Sequence, residues 1–114
     1  MKFVLLIYQP EPFEFRSLPE EEQRSIAAAY GELNDTWNVE PGLPLGLPKD
    51  AVTVRVSDGQ AVTTVGPYVN AAGAVSGYYV VDAETQEEAI AVAASVPAAR
   101  LGGAVEVRPA QIYW

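Results

Sequence analysis

The 114-residue sequence contains neither cysteine nor histidine. Without cysteine it has no disulfide framework and no thiolate nucleophile. Without histidine it lacks the commonest general base near neutral pH and the usual axial ligand of haem iron. No glycine-rich dinucleotide fingerprint appears either. We therefore expect neither a metal nor a cofactor, and any chemistry must use carboxylates, tyrosines, arginines or backbone groups.

Positive charge is also scarce. Seven lysines and arginines stand against fifteen acidic residues, and the formal net charge is −8. Nucleic acids and anionic membrane surfaces are bound largely through clustered basic side chains, so we expect neither as a partner. No run approaches the ~20 apolar residues of a membrane span, and no cleavage site follows the short apolar N-terminus. The composition predicts one cytoplasmic domain over residues 1–114.

Two helices are predicted from capping residues and apolar spacing. The first is expected to begin at a capping box made by Ser17 and Glu20. The second should be capped by Asp82 or Thr85 and closed by Pro97. Each helix has one apolar stripe that should pack on a sheet: Ile26, Tyr30, Leu33 and Trp37 in the first, and Ala89, Val92, Ala93 and Val96 in the second.

The strands differ in their patterns. Residues 3–8 and 78–81 are apolar throughout, whereas residues 104–109 alternate between apolar and polar. Residues 52–65 alternate around an Asp-Gly dipeptide, which predicts a β-hairpin. Residues 39–50, with the repeat GLPLGLP, fit either a flexible lid or an irregular edge segment, and their alternating leucines favour the edge segment.

The order of these elements fits an α+β, ferredoxin-like split βαβ sandwich with both helices on one face of the sheet. Two helices leave the other face uncovered, yet residues 3–8 and 78–81 are apolar on both sides. Strands of this kind are usually buried on both faces. The simplest cover is the same face of a second copy, so the sequence predicts a homodimer.

Several segments, in this order, resemble the YCII-related family and, more specifically, its branch named for a DGPFAETKE motif. They are KFVLLIY, TVRVSDGQAVTT, GPY, GYYVVDA, EEAI, PAAR and GGAVEVRP. The resemblance implies a ferredoxin-like fold that forms a dimeric α/β barrel. It also implies kinship with barrels that include isomerases, dehydratases and monooxygenases needing no metal.

The sequence departs from the family pattern at the motif itself. With the motif aligned on residues 66–68, its opening acidic residue falls on Val65 and its AETKE stretch on residues 69–73, none of which is charged. The family's Asp-centred site, assisted in some members by a histidine, therefore has no counterpart here. Two interpretations remain open: loss of an ancestral activity, or a cavity refitted for a less polar ligand.

Charged candidates for a site lie on two strands. Val105 and Val107 should face the helices, which leaves Glu106 and Arg108 on the open side. There they could orient a polar ligand, with Arg108 binding a carboxylate or phenolate, or form an ion pair across strands or subunits. Arg55 would join this polar set or face solvent if its valine neighbours point inward.

Tyrosines are the remaining candidates. Tyr8, Tyr68 and Tyr79 could donate a hydrogen bond to a developing oxyanion or serve as walls of a cavity. Tyr68 occupies the aromatic position of the motif. Because successive side chains on a strand point to opposite faces, one of Tyr78 and Tyr79 should face the helices and the other the cavity. The sequence pattern does not show which tyrosine faces which side. Residues 112–114 form an apolar tail that could cap the cavity or contact a partner.

Two functions fit these observations. The first is a cofactor-independent lyase, isomerase or cyclase that acts on a hydrophobic, aromatic or polyketide-like molecule by shape and a few hydrogen bonds. The second is a non-catalytic dimer that binds a small molecule or regulates a partner. An enclosed cavity of roughly 300 Å³ or more behind Tyr68 and Arg108 would favour the first, and a filled, dry interface would exclude it.

Overall fold

The computed structural model describes residues 1–9, 15–69 and 75–111. Within these ranges the chain forms three helices, two short 3-10 turns and six strands. The helices are α1 (Glu20–Thr36), α2 (Gln86–Ser95) and α3 (Pro97–Arg100), and the 3-10 turns cover Phe15–Ser17 and Pro48–Asp50. The strands are β1 (Lys2–Tyr8), β2 (Val39–Pro41), β3 (Val52–Ser57), β4 (Gln60–Val65), β5 (Val75–Asp82) and β6 (Ala104–Pro109).

Four strands form an antiparallel sheet in the order β2-β5-β1-β6, and β3 pairs only with β4 in a separate two-stranded sheet. With the β3–β4 hairpin set aside, the main elements follow the order βαββαβ. This α+β arrangement is compatible with a ferredoxin-like fold. The three-residue β2 supplies the second strand of that order, although its sequence carries only a weak strand signal.

The core lies between the sheet and the helices. On β1, Phe3, Leu5 and Ile7 are at most 5% exposed, and they pack with Tyr79 and Val81 of β5. The predicted helix stripes are confirmed. Ile26, Leu33, Ala89, Val92, Ala93 and Val96 are buried, and Tyr30 and Trp37 pack at the edge of the core.

The helix termini correct one prediction, decide a second and confirm a third. The N-cap of α1 is Pro19 and makes no side-chain capping bond, so the predicted capping box of Ser17 is wrong. Ser17 instead ends the 3-10 turn before the helix. Thr85 caps α2 through Oγ1, which accepts from the Glu88 N–H at 3.1 Å. The prediction that α2 closes at Pro97 is confirmed, since α2 ends at Ser95. Pro97 also occupies the first turn of α3, where its missing N–H costs nothing.

The proline- and glycine-rich segment after β2 runs along the edge of β5. The Gly42 N–H donates to the Tyr78 carbonyl and the Leu45 N–H to the Ser76 carbonyl, each at 2.9 Å. The preference for an edge segment over a lid is therefore confirmed. Gly42 is required locally, because a Cβ there would lie 2.5 Å from ring atoms of Tyr78.

The β3–β4 hairpin extends away from the helix–sheet core. Its turn uses Asp58 at φ 53° and Gly59 at φ 75°, the positive values that a two-residue type I′ turn needs. Val54 and Val56 are 59% and 72% exposed, so within the single chain they do not point inward, which was the condition for placing Arg55 with the polar set or in solvent. The reason is topological, since the hairpin lies outside the four-stranded sheet and neither helix covers it.

Among the described residues, the helices are all too short or too polar to cross a lipid bilayer.

Candidate functional site

The open face of the four-stranded sheet, opposite the helices, gathers several of the predicted site residues. Antiparallel register places Leu6 opposite Glu106, and Val4 opposite Arg108. Their neighbours Val105 and Val107 pack against the core, as alternation predicts. Glu106 and Arg108 consequently share the open face with Tyr8.

Three of these residues form a connected group, which we call the Tyr8 cluster (Tyr8, Glu106 and Arg108). The Tyr8 hydroxyl donates to Oε2 of Glu106 at 3.1 Å, and the Arg108 Nε–H donates to Oε1 at 2.6 Å. Glu106 and Arg108 meet because residues two apart on a strand point to the same face. Tyr8 reaches Glu106 from the adjacent strand, diagonally across the pair in register.

The cluster favours one protonation state. Hydrogen bonding to Arg108, and then to Tyr8, lowers the pKa of the Glu106 carboxyl. The hydrogen bond to Glu106 raises the pKa of the Tyr8 hydroxyl, with desolvation and the negative charge of Glu106 acting in the same direction. Near neutral pH the cluster therefore holds an ionised carboxylate, a protonated phenol and a guanidinium.

Such a cluster can bind and orient a polar group. A guanidinium has five N–H donors, and the contact with Glu106 engages the one on Nε. The Arg108 side chain remains 64% exposed in the single chain, so it is accessible to a second acceptor. A carbonyl, phenolate or carboxylate oxygen is the kind of group it would bind.

A cleft of about 600 Å³ lies beside the Tyr8 cluster and is open to solvent on one side. Tyr8 and Arg108 form its polar wall together with Asp50. The rest of the lining is almost entirely apolar or glycine: Leu45, Gly46, Leu47, Pro48, Ala51, Pro67, Val69 and Val75. We call this the Tyr8 cleft. A ligand there would meet hydrogen-bonding groups at one end and hydrophobic walls elsewhere.

Two further candidates form a second pair outside the cleft lining. The guanidinium carbon of Arg55 lies 5.7 Å from the centre of the Tyr68 ring, a cation–π contact. Tyr68 is 71% exposed, and its neighbours Pro67 and Val69 line the cleft in its place. The structure therefore separates Arg55 and Tyr68 from the Tyr8 cluster.

Tyr79 does not belong to the open face. It is 8% exposed and stacks on Tyr30 of α1, with ring centres 6.4 Å apart. The register between β1 and β5 explains this position, because Tyr79 is opposite the buried Leu5 and Tyr78 is opposite Leu6. Tyr79 is thus a core residue, and Tyr78 is the tyrosine of this pair that lies on the open face.

Sequence reasoning missed Asp50 and did not assign a role to Leu45 and Leu47. Asp50 ends the Pro48–Asp50 turn and contributes a carboxylate to the cleft lining. No sequence signal marks it, because it stands in a proline- and glycine-rich stretch without a motif. The alternation of the leucines indicated an edge segment but not that this segment would wall a cleft.

The divergent motif loop is only partly described. Val65 and Val69 are 80% and 66% exposed, so an apolar side chain stands at the motif's opening acidic position. Residues 70–73, where the remaining charges would fall, lie outside the described residues, as does the tail at 112–114. Across the described ranges, acidic side chains do not gather into groups of three or more able to hold a metal ion.

Comparison with known proteins places these observations in a family. A search of curated proteins finds no match to this chain. The model of the YCII-related domain matches residues 1–111, which include all the described strands and helices and both walls of the Tyr8 cleft. The chain belongs to the YCII-related family.

Proposed function

We propose that this chain is a homodimeric small-molecule-binding protein whose ligand is hydrophobic, aromatic or polyketide-like and occupies the Tyr8 cleft. The observation that carries the proposal is that Tyr8 and Arg108 line an apolar cleft of about 600 Å³ while both bind Glu106. Small-molecule sites commonly measure ~300–1,000 Å³ and combine apolar walls with a few convergent polar groups. The cleft has this size and composition.

The polar wall supports a definite orientation of the ligand. Arg108 brings a positive charge and further N–H donors, and Glu106 fixes its guanidinium by a hydrogen bond of 2.6 Å. A side chain held in this way loses less conformational entropy when a ligand binds. The oxygen of the ligand therefore points toward Arg108, and its apolar body lies along Leu45, Leu47 and Val75.

The homodimer is supported by the open sheet face. Val4, Leu6 and Val80 remain partly exposed there, and the helices pack on the opposite side. A second copy related by a two-fold axis would cover these residues. We also infer that the chain belongs to the DGPFAETKE branch of its family, as a cytoplasmic member that has lost the motif's charges.

We further propose that the Tyr8 cleft is a catalytic site. A cofactor-independent lyase, isomerase or cyclase needs a shaped site and a donor for a developing oxyanion. The Tyr8 hydroxyl remains protonated near neutral pH and lies in the cleft wall, which suits it to donate such a hydrogen bond. Arg108 would hold the reacting oxygen beside it.

A non-catalytic binding or regulatory dimer is the second candidate, and the protonation of the cluster favours it. A general base works best when its pKa is near the operating pH. The pKa of Glu106 is lowered and the pKa of Tyr8 is raised, so neither group is prepared to exchange a proton near neutrality. Binding without turnover needs no such exchange.

A thermal-shift screen against aromatic and polyketide-like ligands tests the binding site. We expect hits on the wild-type chain, weaker binding by about tenfold or more in Arg108→Ala, and a smaller loss in Tyr8→Phe, since hydrogen bonds to charged groups contribute about 1.5–3 kcal/mol. Arg24→Ala is the matched control, because Arg24 is an exposed arginine paired with Glu20 on α1. Unchanged affinity in both cleft variants would overturn the assignment.

Turnover separates the two candidate functions. A ligand found in the screen is incubated with the wild-type chain and with Tyr8→Phe, and products are separated by liquid chromatography and identified by mass spectrometry, so that isomers of equal mass are also detected. Product formed by the wild type and lost in Tyr8→Phe, with affinity largely retained, supports the enzyme. Tight binding with no product across the ligand set supports the non-catalytic dimer.

A further inference from the structure

The two faces of the β3–β4 hairpin differ sharply in character. One face, which we call the hairpin apolar face, carries residues paired across the strands: Val52, Val54, Val56, Ala61, Thr63 and Val65. All six are exposed. The opposite face is polar by comparison and is engaged with its own chain, since Arg55 lies over Tyr68 and Thr53 donates to the Gly66 carbonyl at 2.7 Å.

A hairpin with an exposed apolar face lacks the usual source of stability. An isolated two-stranded hairpin is marginally stable in water and normally needs a third strand or a packed face. Within the described residues, no other helix or strand packs extensively on β3 or β4. The strong turn and the regular alternation nevertheless specify this hairpin clearly, which indicates that another surface covers it.

The surface area of the chain points the same way. A folded monomer of 12.2 kDa exposes about 6,000 Å², whereas this chain exposes 8153 Å². Its radius of gyration is 16.1 Å, against ~13 Å for a compact domain of this length. The excess of roughly 2,000 Å² exceeds the ~800 Å² that each partner buries in a standard interface.

We propose that the hairpin apolar face is a docking arm for a second copy of this chain, and that each arm lies across the open sheet face of the other copy. The inference rests on the proposed homodimer and specifies how it forms. Six-residue strands extend about 20 Å, and four strands spaced ~4.8 Å apart make a sheet of similar width. One arm is therefore long enough to cross the whole sheet.

A second copy fits this arm better than an unrelated protein does, because the chain carries both unpartnered surfaces itself. Reciprocal exchange covers the arm and the open sheet face at once and closes with two-fold symmetry. The hairpin apolar face contains no charged residue, and Val4, Leu6 and Val80 form the centre of the open sheet face. The charged side chains of the open sheet face lie on its outer strands and at the ends of its inner strands. An uncharged arm that contacts the centre of this face suits two chains that each carry a net charge of −8.

The mass of the protein in solution provides the first test. We expect a dimer for the wild type by light scattering at micromolar concentration, and a monomer for the double variant Val54→Glu/Val56→Glu. Val62→Glu is the matched control, because Val62 is 50% exposed on the same hairpin but pairs with Arg55 on the opposite face. It should remain dimeric, and circular dichroism should show all three chains folded.

The outcomes distinguish this inference from the proposal on which it rests. A monomeric wild type overturns both the homodimer and the docking arm. A dimeric wild type whose mass is unchanged in Val54→Glu/Val56→Glu leaves the homodimer intact and overturns the arm. Equal dissociation in Val62→Glu would also overturn it, because the effect would no longer depend on which face is charged.

Site-directed cross-linking tests where the arm lies. The chain has no cysteine, so Val54→Cys and Leu6→Cys each introduce a unique thiol. The two variants are mixed, one carrying a mass tag, and treated with a short bismaleimide. We expect the mixed cross-linked dimer to predominate. Cross-linking only between two Val54→Cys chains would show arm-to-arm packing and overturn the proposed placement.

Discussion

The four-stranded sheet and the β3–β4 hairpin both carry a row of apolar side chains, but these are buried in the sheet and exposed in the hairpin. Phe3, Leu5 and Ile7 form one face of β1, just as Val52, Val54 and Val56 form one face of β3. The β1 residues are at most 5% exposed, whereas those on β3 are 59% to 72% exposed. Apolar residues at every second position thus give a strand an apolar face, but burial of that face requires a second layer. The helices α1 and α2 supply this layer to the sheet. Within the described residues, no helix or strand supplies it to the hairpin.

The two faces of the sheet repeat this contrast on a smaller scale. The helix side is closed and apolar, with Tyr79 stacked on Tyr30. The open side combines partly exposed valine and leucine with the hydrogen-bonded Tyr8 cluster. Core packing is therefore concentrated on one side of the sheet, and the proposed binding site lies on the other.

The largest expected effect is the difference in the free energy of unfolding between truncation of a core residue and truncation of a hairpin residue. Leu5→Ala removes a fully buried side chain and should lower the free energy of unfolding by about 2–5 kcal/mol. Val54→Ala should change it by less than about 0.5 kcal/mol in dilute solution. Urea denaturation at low protein concentration measures both. A comparable loss in Val54→Ala there would mean that the hairpin packs on its own chain.

The edge segment offers a finer test on the open side. Gly42→Ala would place a Cβ 2.5 Å from the Tyr78 ring, so the ring must turn away, and we expect a loss of about 1 kcal/mol. Gly46→Ala is the control, because nothing lies within 4 Å of a Cβ at that position. Thermal unfolding and near-ultraviolet circular dichroism report the two effects. Identical behaviour of the two variants would contradict the close packing of Tyr78 on Gly42.

The smallest expected effect is the pH dependence of the stability that the Tyr8 cluster contributes. Folding lowers the pKa of Glu106, chiefly through its hydrogen bond with Arg108, so folding favours the ionised carboxylate. This contribution is present above the ordinary glutamate pKa of roughly 4.3 and is lost as the pH falls through the lowered value. The stability difference between wild type and Glu106→Gln should therefore shrink on acidification. A difference that stays constant or grows would contradict the assignment.

Several features of the fold were predictable because local chemistry decides them. Asp58 and Gly59 adopt the positive φ values that the turn requires, and the Thr85 hydroxyl caps α2. The apolar stripes of both helices are buried as their spacing predicts. The alternation on β6 correctly assigned Glu106 and Arg108 to the open face. None of these depends on a distant partner.

Other features depend on contacts between distant parts of the chain. Tyr8 and Glu106 are 98 residues apart and meet only because β1 pairs with β6 in one register. The β1–β5 register likewise places Tyr79, and not Tyr78, in the core. The three-residue β2 becomes part of the sheet by pairing with β5, although its own sequence predicts a strand only weakly. Local propensity carries no information about these pairings.

The sequence by itself determined the helices, the hairpin turn and the alternation of each strand, because these depend on spacing and backbone preference within a few residues. It also excluded any role for histidine or cysteine side chains, because the chain contains neither. Only the tertiary structure decided which faces are covered, which tyrosine is buried and which polar side chains meet. Those outcomes follow from strand register and layer packing. A shift of the register by one residue would move every side chain of the strand to the opposite face of the sheet.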